Sequence, residues 1–292
     1  MTWHGGAKRC VPALPDQPPL REVIRRHGLT ARRSFGQHFL LDMNLTRRIA
    51  RAAGNMSGIT AIEIGPGPGG LTRALLETDA VRVIAIEYDE RCVAALAELE
   101  LSERGRLNLV HADALELDVA KLAGGAPARI VANLPYNIAT PLLVRWLSQA
   151  DAFLSMTLMF QKEVAQRLSA RIGDSSYGRL SVITSWLCEA ERLFDISPKA
   201  FVPPPKVMST VLHLAPRSKP LAPACMLDLE RVTGAAFGQR RKMLRSSLKN
   251  LFDDPVATLE KLRIPHTARA EELDVEQFCA VARALTRPSA RE

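Results

Sequence analysis

The chain has 292 residues, 47% of them hydrophobic, with 39 Lys and Arg against 31 Asp and Glu, a formal net charge of +8. That length suits one buried core plus a smaller satellite domain. No apolar run reaches the roughly 18–20 residues of a membrane span, and the N-terminus "MTWHGGAKRCVPALPDQPP" lacks the apolar stretch of a signal peptide, so a cytoplasmic protein is expected. Five widely spaced cysteines (10, 92, 188, 225 and 279) without a CxxC pattern argue for reduced thiols and against a metal site.

Residues 1–17 are rich in Pro and Gly and read as a disordered tail. Pro18 and Pro19 open a short helix that ends at Gly28. The segment "REVIRRHGLTARRSFGQH" (Arg21 to His38) gathers positive charge, Arg32 and Arg33 included. Asn44 is the expected N-cap of a helix "LTRRIARAAG", stopped by Gly54. A regular alternation follows. Apolar runs at 60–65, 81–87, 107–113, 128–134 and 155–160 are separated by helical patterns, which indicates parallel strands covered on both faces in a doubly wound α/β sheet. Further strands are expected near 188–195 and at 206–214, joined by a segment short enough for an antiparallel pair. From about 216 only helical patterns remain. The expected division is a core domain, 18–215, with basic N-terminal helices, and a small helical domain, 216–292, whose basic cluster makes it the candidate RNA-binding part. In the latter, "GQRRKMLRSSLKN" (238–250) sets Arg241, Arg245 and Lys249 opposite Leu244, Leu248 and Leu251, an amphipathic helix with a cationic stripe. Arg240 and Lys242 belong to the same cluster. Two such clusters on a basic chain favour a nucleic-acid partner over a merely solvated face.

The first strand turns into a helix through "AIEIGPGPGGLT", where Gly65, Gly67 and Gly70 satisfy GxGxxG and Glu87 ends the second strand. A nicotinamide dinucleotide would meet that pattern. Pro66 and Pro68, however, remove backbone N–H groups where a pyrophosphate would sit. A ligand with an adenosine and an amino acid but no phosphate fits better, and S-adenosylmethionine is that ligand. Glu63 is placed to hold the loop or the methionine ammonium. Glu87 can accept from ribose hydroxyls, and Asp113 from the adenine amino group, although Asp113 could equally cap a helix. All three lie at the carboxyl edge of the sheet, where α/β folds bind ligands.

The fourth strand ends at that edge in Asn133-Leu134-Pro135-Tyr136. An exocyclic amine on a base is a poor nucleophile because its lone pair is delocalised into the ring. Acceptors at the Asn133 side-chain oxygen and the Leu134 carbonyl would hold its hydrogens and turn that lone pair toward a methyl donor. Pro135 stiffens the turn, and Tyr136 offers a face for a base taken out of its stack. A plain strand-to-helix turn with Asn capping and Tyr packing is the other reading.

"SFGQHFL", "EIGPGPGGLT", "NLPYNIATPLL", "FVPPPKVMST" and "FGQRRKMLRSSLK", in this order, resemble the rRNA adenine N6,N6-dimethyltransferase family over residues 20–285, most closely its small-subunit branch. The resemblance implies a Rossmann-like, S-adenosylmethionine-dependent methyltransferase sheet of seven strands, mostly parallel with the last one antiparallel, plus a small all-α C-terminal domain. It implies dimethylation of two adjacent adenines in the 3′-terminal hairpin of small-subunit rRNA during subunit biogenesis, by a monomer bound to the pre-ribosomal particle. Cofactor contacts carry over to His38 (often Asn in the family), Leu40, Gly65, Gly67, Glu87, Asp113 and Asn133. Phe201 is implied as a second wall for the target base, opposite Tyr136; by itself it reads as core packing. The family's usual acid in "PKVDS" is Met208 here. The rivals are a large-subunit rRNA adenine methyltransferase of the macrolide-resistance type and a non-catalytic RNA-binding assembly factor.

Overall fold

The β-branched apolar runs form strands, and their continuity reflects burial from both sides. The computed structural model describes residues 17–31, 36–102 and 105–285, without the side chains of 100–102. The strands are β1 (Phe39–Leu40), β2 (Thr60–Ile64), β3 (Arg82–Glu87), β4 (Leu107–His111), β5 (Ala128–Asn133), β6 (Ser155–Gln161), β7 (Cys188–Ile196), β8 (Phe201–Val202) and β9 (Ser209–Pro216). The helices are α1 (Leu20–Arg26), α2 (Met43–Ala52), α3 (Gly70–Leu76), α4 (Glu90–Ser102), α5 (Val119–Leu122), α6 (Tyr136–Leu147), α7 (Lys162–Leu168), α8 (Arg179–Leu187), α9 (Met226–Gly238), α10 (Leu244–Ser247), α11 (Pro255–Lys261) and α12 (Val275–Leu285). The expected tail of residues 1–17, Gln17 apart, lies outside the described residues.

Seven strands form one mixed sheet in the order β4-β3-β2-β5-β6-β9-β7, with β2 to β6 parallel and one antiparallel strand. This is the expected Rossmann-like methyltransferase sheet. The chain starts the sheet at β2, builds outward through β3 and β4, then returns to the other flank of β2 with β5. That reversal splays the connections after β2 and β5 apart and leaves a crevice at their carboxyl ends. A separate two-stranded ribbon pairs β1 with β8 antiparallel, setting Leu40 opposite Phe201 and Phe39 opposite Val202. It ties the "GQHFL" segment to the "FVPPP" segment.

By contact the chain divides into two compact units. One runs to Val144 and adds Ala152–Gln161 and Leu193–His213; the other holds Arg145–Asp151, Lys162–Arg192 and the chain from Leu214 onward. In the second unit Leu229 and Val232 of α9, Leu244, Leu248, and Phe278 and Val281 of α12 share one buried cluster. Two buried polar handles are satisfied there: Tyr177 Oη donates to Leu273 O at 3.0 Å, and Trp186 Nε1 to Ala222 O at 2.7 Å.

Two local expectations are corrected. Asp42, not Asn44, caps α2, its carboxylate accepting from the Asn44 N–H at 2.8 Å. A carboxylate two residues ahead outcompetes the carboxamide for the free N–H groups of the first turn. Residues 238–250 do not form one amphipathic helix. Gln239 leaves the helical region (φ −126°, ψ 47°), and Met243 is extended and bridged to Arg269. The N–H groups of Leu244 and Arg245 donate to Ala268 O and His266 O at 2.8 and 3.1 Å. These partners, distant in sequence, overrode a local helical preference. Leu244 and Leu248 still reach the core, while Arg241, Lys242, Arg245 and Lys249 stay exposed.

Candidate active site

The crevice after β2 and β5 opens into a cleft of about 1200 Å³, its mouth included. His38, Leu40, Gly65, Gly67, Glu87, Asp113, Asn133, Leu134, Pro135 and Tyr136 all line it, with Glu63 at its floor. Residues separated by almost a hundred positions thus meet in one place, as the motif order led one to expect.

The glycine loop is closed upon itself. The Gly65 N–H donates to Ile86 O at 2.9 Å, Gly67 to Glu87 Oε2 at 2.9 Å, and Gly69 to Pro66 O at 3.0 Å. Pro66 and Pro68 have no N–H. From 65 to 69, therefore, no backbone donor remains for a diphosphate, which removes the physical basis for a nicotinamide dinucleotide on this turn. Gly65, Gly67 and Gly69 all have positive φ (67°, 57° and 90°), and a Cβ on Gly67 would lie 3.1 Å from the Phe39 ring. Gly67→Ala is expected to cost about 1–2 kcal/mol of stability from the left-handed backbone alone, and more if Phe39 cannot yield. Denaturant unfolding of the variant measures it, and an unchanged midpoint contradicts it.

Glu87 is buried and accepts from three backbone N–H groups: Gly67 on Oε2, and Tyr88 and Asp89 on Oε1, each at 2.8 Å. Burial raises its pKa, while those N–H groups oppose the rise. Its role is thus double, since it fixes the glycine loop as well as facing the cleft. Asp89 turns away to Arg91, which grips it through Nε at 3.0 Å and a terminal nitrogen at 2.6 Å, and Gln37 Nε2 adds a bond at 3.1 Å. Those partners hold the Asp89 carboxyl down at about 2. Glu63 is the opposite case. It is 1% exposed, and its Oε2 has no hydrogen-bond partner among the described residues. Burial pushes its carboxyl up to about 8, against the influence of the nearby Thr72 hydroxyl and with that of the Glu87 charge. An orphaned buried oxygen beside a cleft calls for a cation, and an α-ammonium group answers it. Asp113 lies two residues beyond β4, and its Oδ1 accepts from the Leu115 N–H at 2.8 Å. The helix it could have capped begins later, at Val119, and is capped by Asp118.

At the end of β5, Asn133 Nδ2 donates to His38 O at 3.1 Å. The carboxamide is thereby oriented, and Oδ1 is its unengaged polar atom among the described residues. Tyr136 is tied through its hydroxyl to Ser209 Oγ, a partner the sequence did not suggest. Ser209 is fully buried, and burial raises the Tyr136 pKa. The His38 ring lies 5.5 Å from Tyr136 and 6.3 Å, edge-on, from Phe201, and its Nδ1 donates to Pro203 O at 2.7 Å. Phe201 is only 2% exposed, packed in the core cluster with Leu40 and Val211. Its core environment matches what its type alone suggests.

Of the expected cationic residues, Arg32 and Arg33 lie outside the described residues. Arg240 is half-buried, its Nε paired with Glu271 at 2.5 Å. Arg241, Lys242, Arg245 and Lys249 are exposed, as noted above, and belong to the second unit. No group of metal-ligating side chains occurs among the described residues.

Residues 28–287 match the family described as Ribosomal RNA adenine dimethylase. A Rhodospirillum rubrum protein named Ribosomal RNA small subunit methyltransferase A is 62% identical over 268 residues, 92% of each chain. Its namesake from Azorhizobium caulinodans is 58% identical over 278 residues, 94% of this chain and 95% of that one. Among solved structures, a dimethyladenosine transferase from Plasmodium falciparum superposes with a TM-score of 0.70 at 27% identity, over 84% of this chain and 96% of that one. The 23S rRNA methyltransferase ErmE gives 0.64 at 28% identity, over 85% of this chain and all of that one.

Proposed function

The chain belongs to the ribosomal RNA adenine dimethylase family, and from that premise we propose that it dimethylates N6 of two adjacent adenines in the 3′-terminal hairpin of small-subunit rRNA, with S-adenosylmethionine as methyl donor, in the cytoplasm, as a monomer, during assembly of the subunit. The observation that carries the reading is the Asn133 carboxamide, whose nitrogen is engaged by His38 O and whose oxygen is left to accept.

The residues of the cleft suit the donor. The phosphate-averse loop of residues 65–69 receives the methionine side, with the orphaned Glu63 oxygen facing its ammonium. Glu87 takes the ribose hydroxyls and Asp113 the adenine, while His38 and Leu40 close the cleft from the ribbon side. Bound there, S-adenosylmethionine supplies an electrophilic methyl on a sulfonium.

Asn133 Oδ1 and the Leu134 carbonyl hold the two hydrogens of the target amine. Held so, the nitrogen is drawn toward tetrahedral geometry and its lone pair leaves the ring plane. That differential stabilisation arises as charge develops on nitrogen, which is where an acceptor accelerates the step. Tyr136, its hydroxyl fixed by Ser209, gives the extruded base a rigid face. Phe201 acts behind it, packing the edge of the His38 ring. No strong base is needed, because the cationic product sheds its proton to water.

Arg32, Arg33, Arg240, Arg241, Lys242, Arg245 and Lys249 are assigned to rRNA phosphates. For the four exposed ones of the second unit, joint replacement by Ala should flatten the slope of log affinity against log salt by about 3, each charge contributing about 0.7–0.9. Filter binding across salt concentrations reads this, and an unaltered slope removes these residues from the interface. The function itself is tested by incubating the protein with labelled S-adenosylmethionine and, separately, with under-methylated small subunits and unmethylated large-subunit rRNA, then analysing nucleosides by mass spectrometry. Dimethyladenosine at two neighbouring positions supports the reading. Methylation confined to large-subunit rRNA, or none at all, overturns it.

A further inference from the structure

Between Phe201 and Ser209 the chain makes a loop with both ends fastened to residues that line the cleft. At one end Leu40 pairs with Phe201 across the ribbon, and Pro203 O accepts from His38 Nδ1. At the other, Ser209 Oγ holds the Tyr136 hydroxyl. The loop therefore cannot drift from the pocket without pulling on its walls. Three successive prolines, Pro203 to Pro205, restrict its backbone further.

What this anchored loop presents is apolar. Val202 is 50% exposed, Val207 44% and Met208 39%. Scattered exposed apolar side chains are ordinary on a protein surface; three on one short stiffened loop, anchored at both ends to walls of the cleft, are not scattered. The charge agrees with a polyanionic visitor: Lys206 is exposed in the same loop, and residues 201–210 contain no carboxylate. Met208 adds a polarizable thioether, which makes favourable contacts with aromatic rings.

Resting on the methyl-transfer reading above, we propose that the loop from Val202 to Met208 is a shelf for the nucleotide adjoining the target adenine in the same RNA strand. Drawing the target base out of its stack uncovers a face of its neighbour. That face packs on Val207 and Met208, with Val202 beside the ribbon extending the surface, and Lys206 meets a phosphate of the strand. The shelf acts on RNA recognition and leaves the cleft for the methyl donor untouched.

The test crosses a protein change with an RNA change. Small subunits are reassembled with an abasic nucleotide on the 5′ or the 3′ side of the adenine pair, and dimethylation of the adenine beside the lesion is followed for the wild type and for Val202→Ser/Val207→Ser/Met208→Ser. All three side chains are exposed, so the fold tolerates their replacement, which circular dichroism checks. The wild type is expected to lose about tenfold in kcat/KM with the abasic nucleotide on one side only. The triple variant is expected to show that loss already on intact subunits, with no further loss on the abasic ones, and a KM for S-adenosylmethionine within twofold of wild type. Independent, multiplying losses, or a variant equal to wild type on intact subunits, overturn the shelf while leaving the methyl-transfer reading standing. A wild type that makes no dimethyladenosine on intact subunits overturns both.

Discussion

Asn133→Ala is expected to lower kcat by about 10²–10³-fold, the effect of deleting one preorganised polar partner from a transition state that develops charge. The geometry makes the reason specific. The carboxamide nitrogen is held by His38 O at 3.1 Å, so its oxygen costs nothing in reorganisation when the amine arrives. Asn133→Asp separates the two halves of this account. It keeps an acceptor but sets a carboxylate oxygen against the His38 carbonyl, so it should recover part of the rate while disturbing the ribbon segment. Single-turnover methylation of small subunits with labelled donor measures both variants. A value for Asn133→Ala within about threefold of wild type would refute the role.

The second large effect concerns Glu63. Its folded-state pKa of about 8 stands above the ordinary carboxylate value of 4.5, so folding favours the protonated acid. The stability this confers is complete below about pH 4.5 and is lost as pH rises toward 8. By pH 7 the penalty amounts to up to about 3 kcal/mol, reckoned at 1.36 kcal/mol per pH unit above 4.5, because folding must return a proton to an acid that is ionised in the unfolded chain. Glu63→Gln should therefore make the ligand-free protein more stable at pH 7–8, with little effect near pH 5. The same change should weaken S-adenosylmethionine binding, because the ammonium loses its anionic partner. For the wild type, binding should be tightest near pH 8 and weaken by up to about tenfold per unit below it, as Glu63 must release a proton to pair. Above that optimum the ligand's own α-amino group, with a pKa of about 7.7–8.0, loses its charge. Glu87 faces the same cleft, and burial raises its pKa too. The slope that Glu63→Gln abolishes is therefore the part belonging to Glu63. Calorimetry in buffers of different ionisation enthalpy counts the protons directly. Binding of 5′-methylthioadenosine, which has no ammonium, is the control and should lack the Glu63 component. Proton release that is the same in wild type and Glu63→Gln would sink the pairing.

These two expectations come from different levels of the molecule. Strand-end residues such as Glu87 and Asn133 were legible early, because an α/β alternation sends every parallel strand's carboxyl end to one edge. The hint from Pro66 and Pro68 was also sound, and it became stronger in three dimensions. The neighbouring N–H groups of Gly65, Gly67 and Gly69 proved to be engaged within the protein as well. Phe201 by itself read as core packing, and only the family resemblance implied a wall for the base. Its depth in the core and its edge contact with His38 depend on the β1–β8 ribbon, which no local pattern announced. The cationic stripe of 238–250 misled for a related reason. Periodicity reports which residues share a face if a helix forms, and it is blind to a bridge from Met243 to Arg269 that breaks the helix.

The amino-acid order alone thus determined the alternation of strands and helices, the glycine–proline turn without donors, the acids and the amide at the strand ends, and the surplus of positive charge. These are properties of short stretches, set by side-chain periodicity, by the chemistry of proline and glycine, and by counting charges. The tertiary structure alone decided which atom of Asn133 stays free, that Ser209 steadies Tyr136, that Glu63 is orphaned, and that the 202–208 loop is fastened to the pocket at both ends. The partnerships among these cross long spans, 95 residues from His38 to Asn133 and 73 from Tyr136 to Ser209, and the isolation of Glu63 likewise depends on what folds around it. Hydrogen bonding and desolvation act through space, so their outcome appears only once the sheet has brought those positions together.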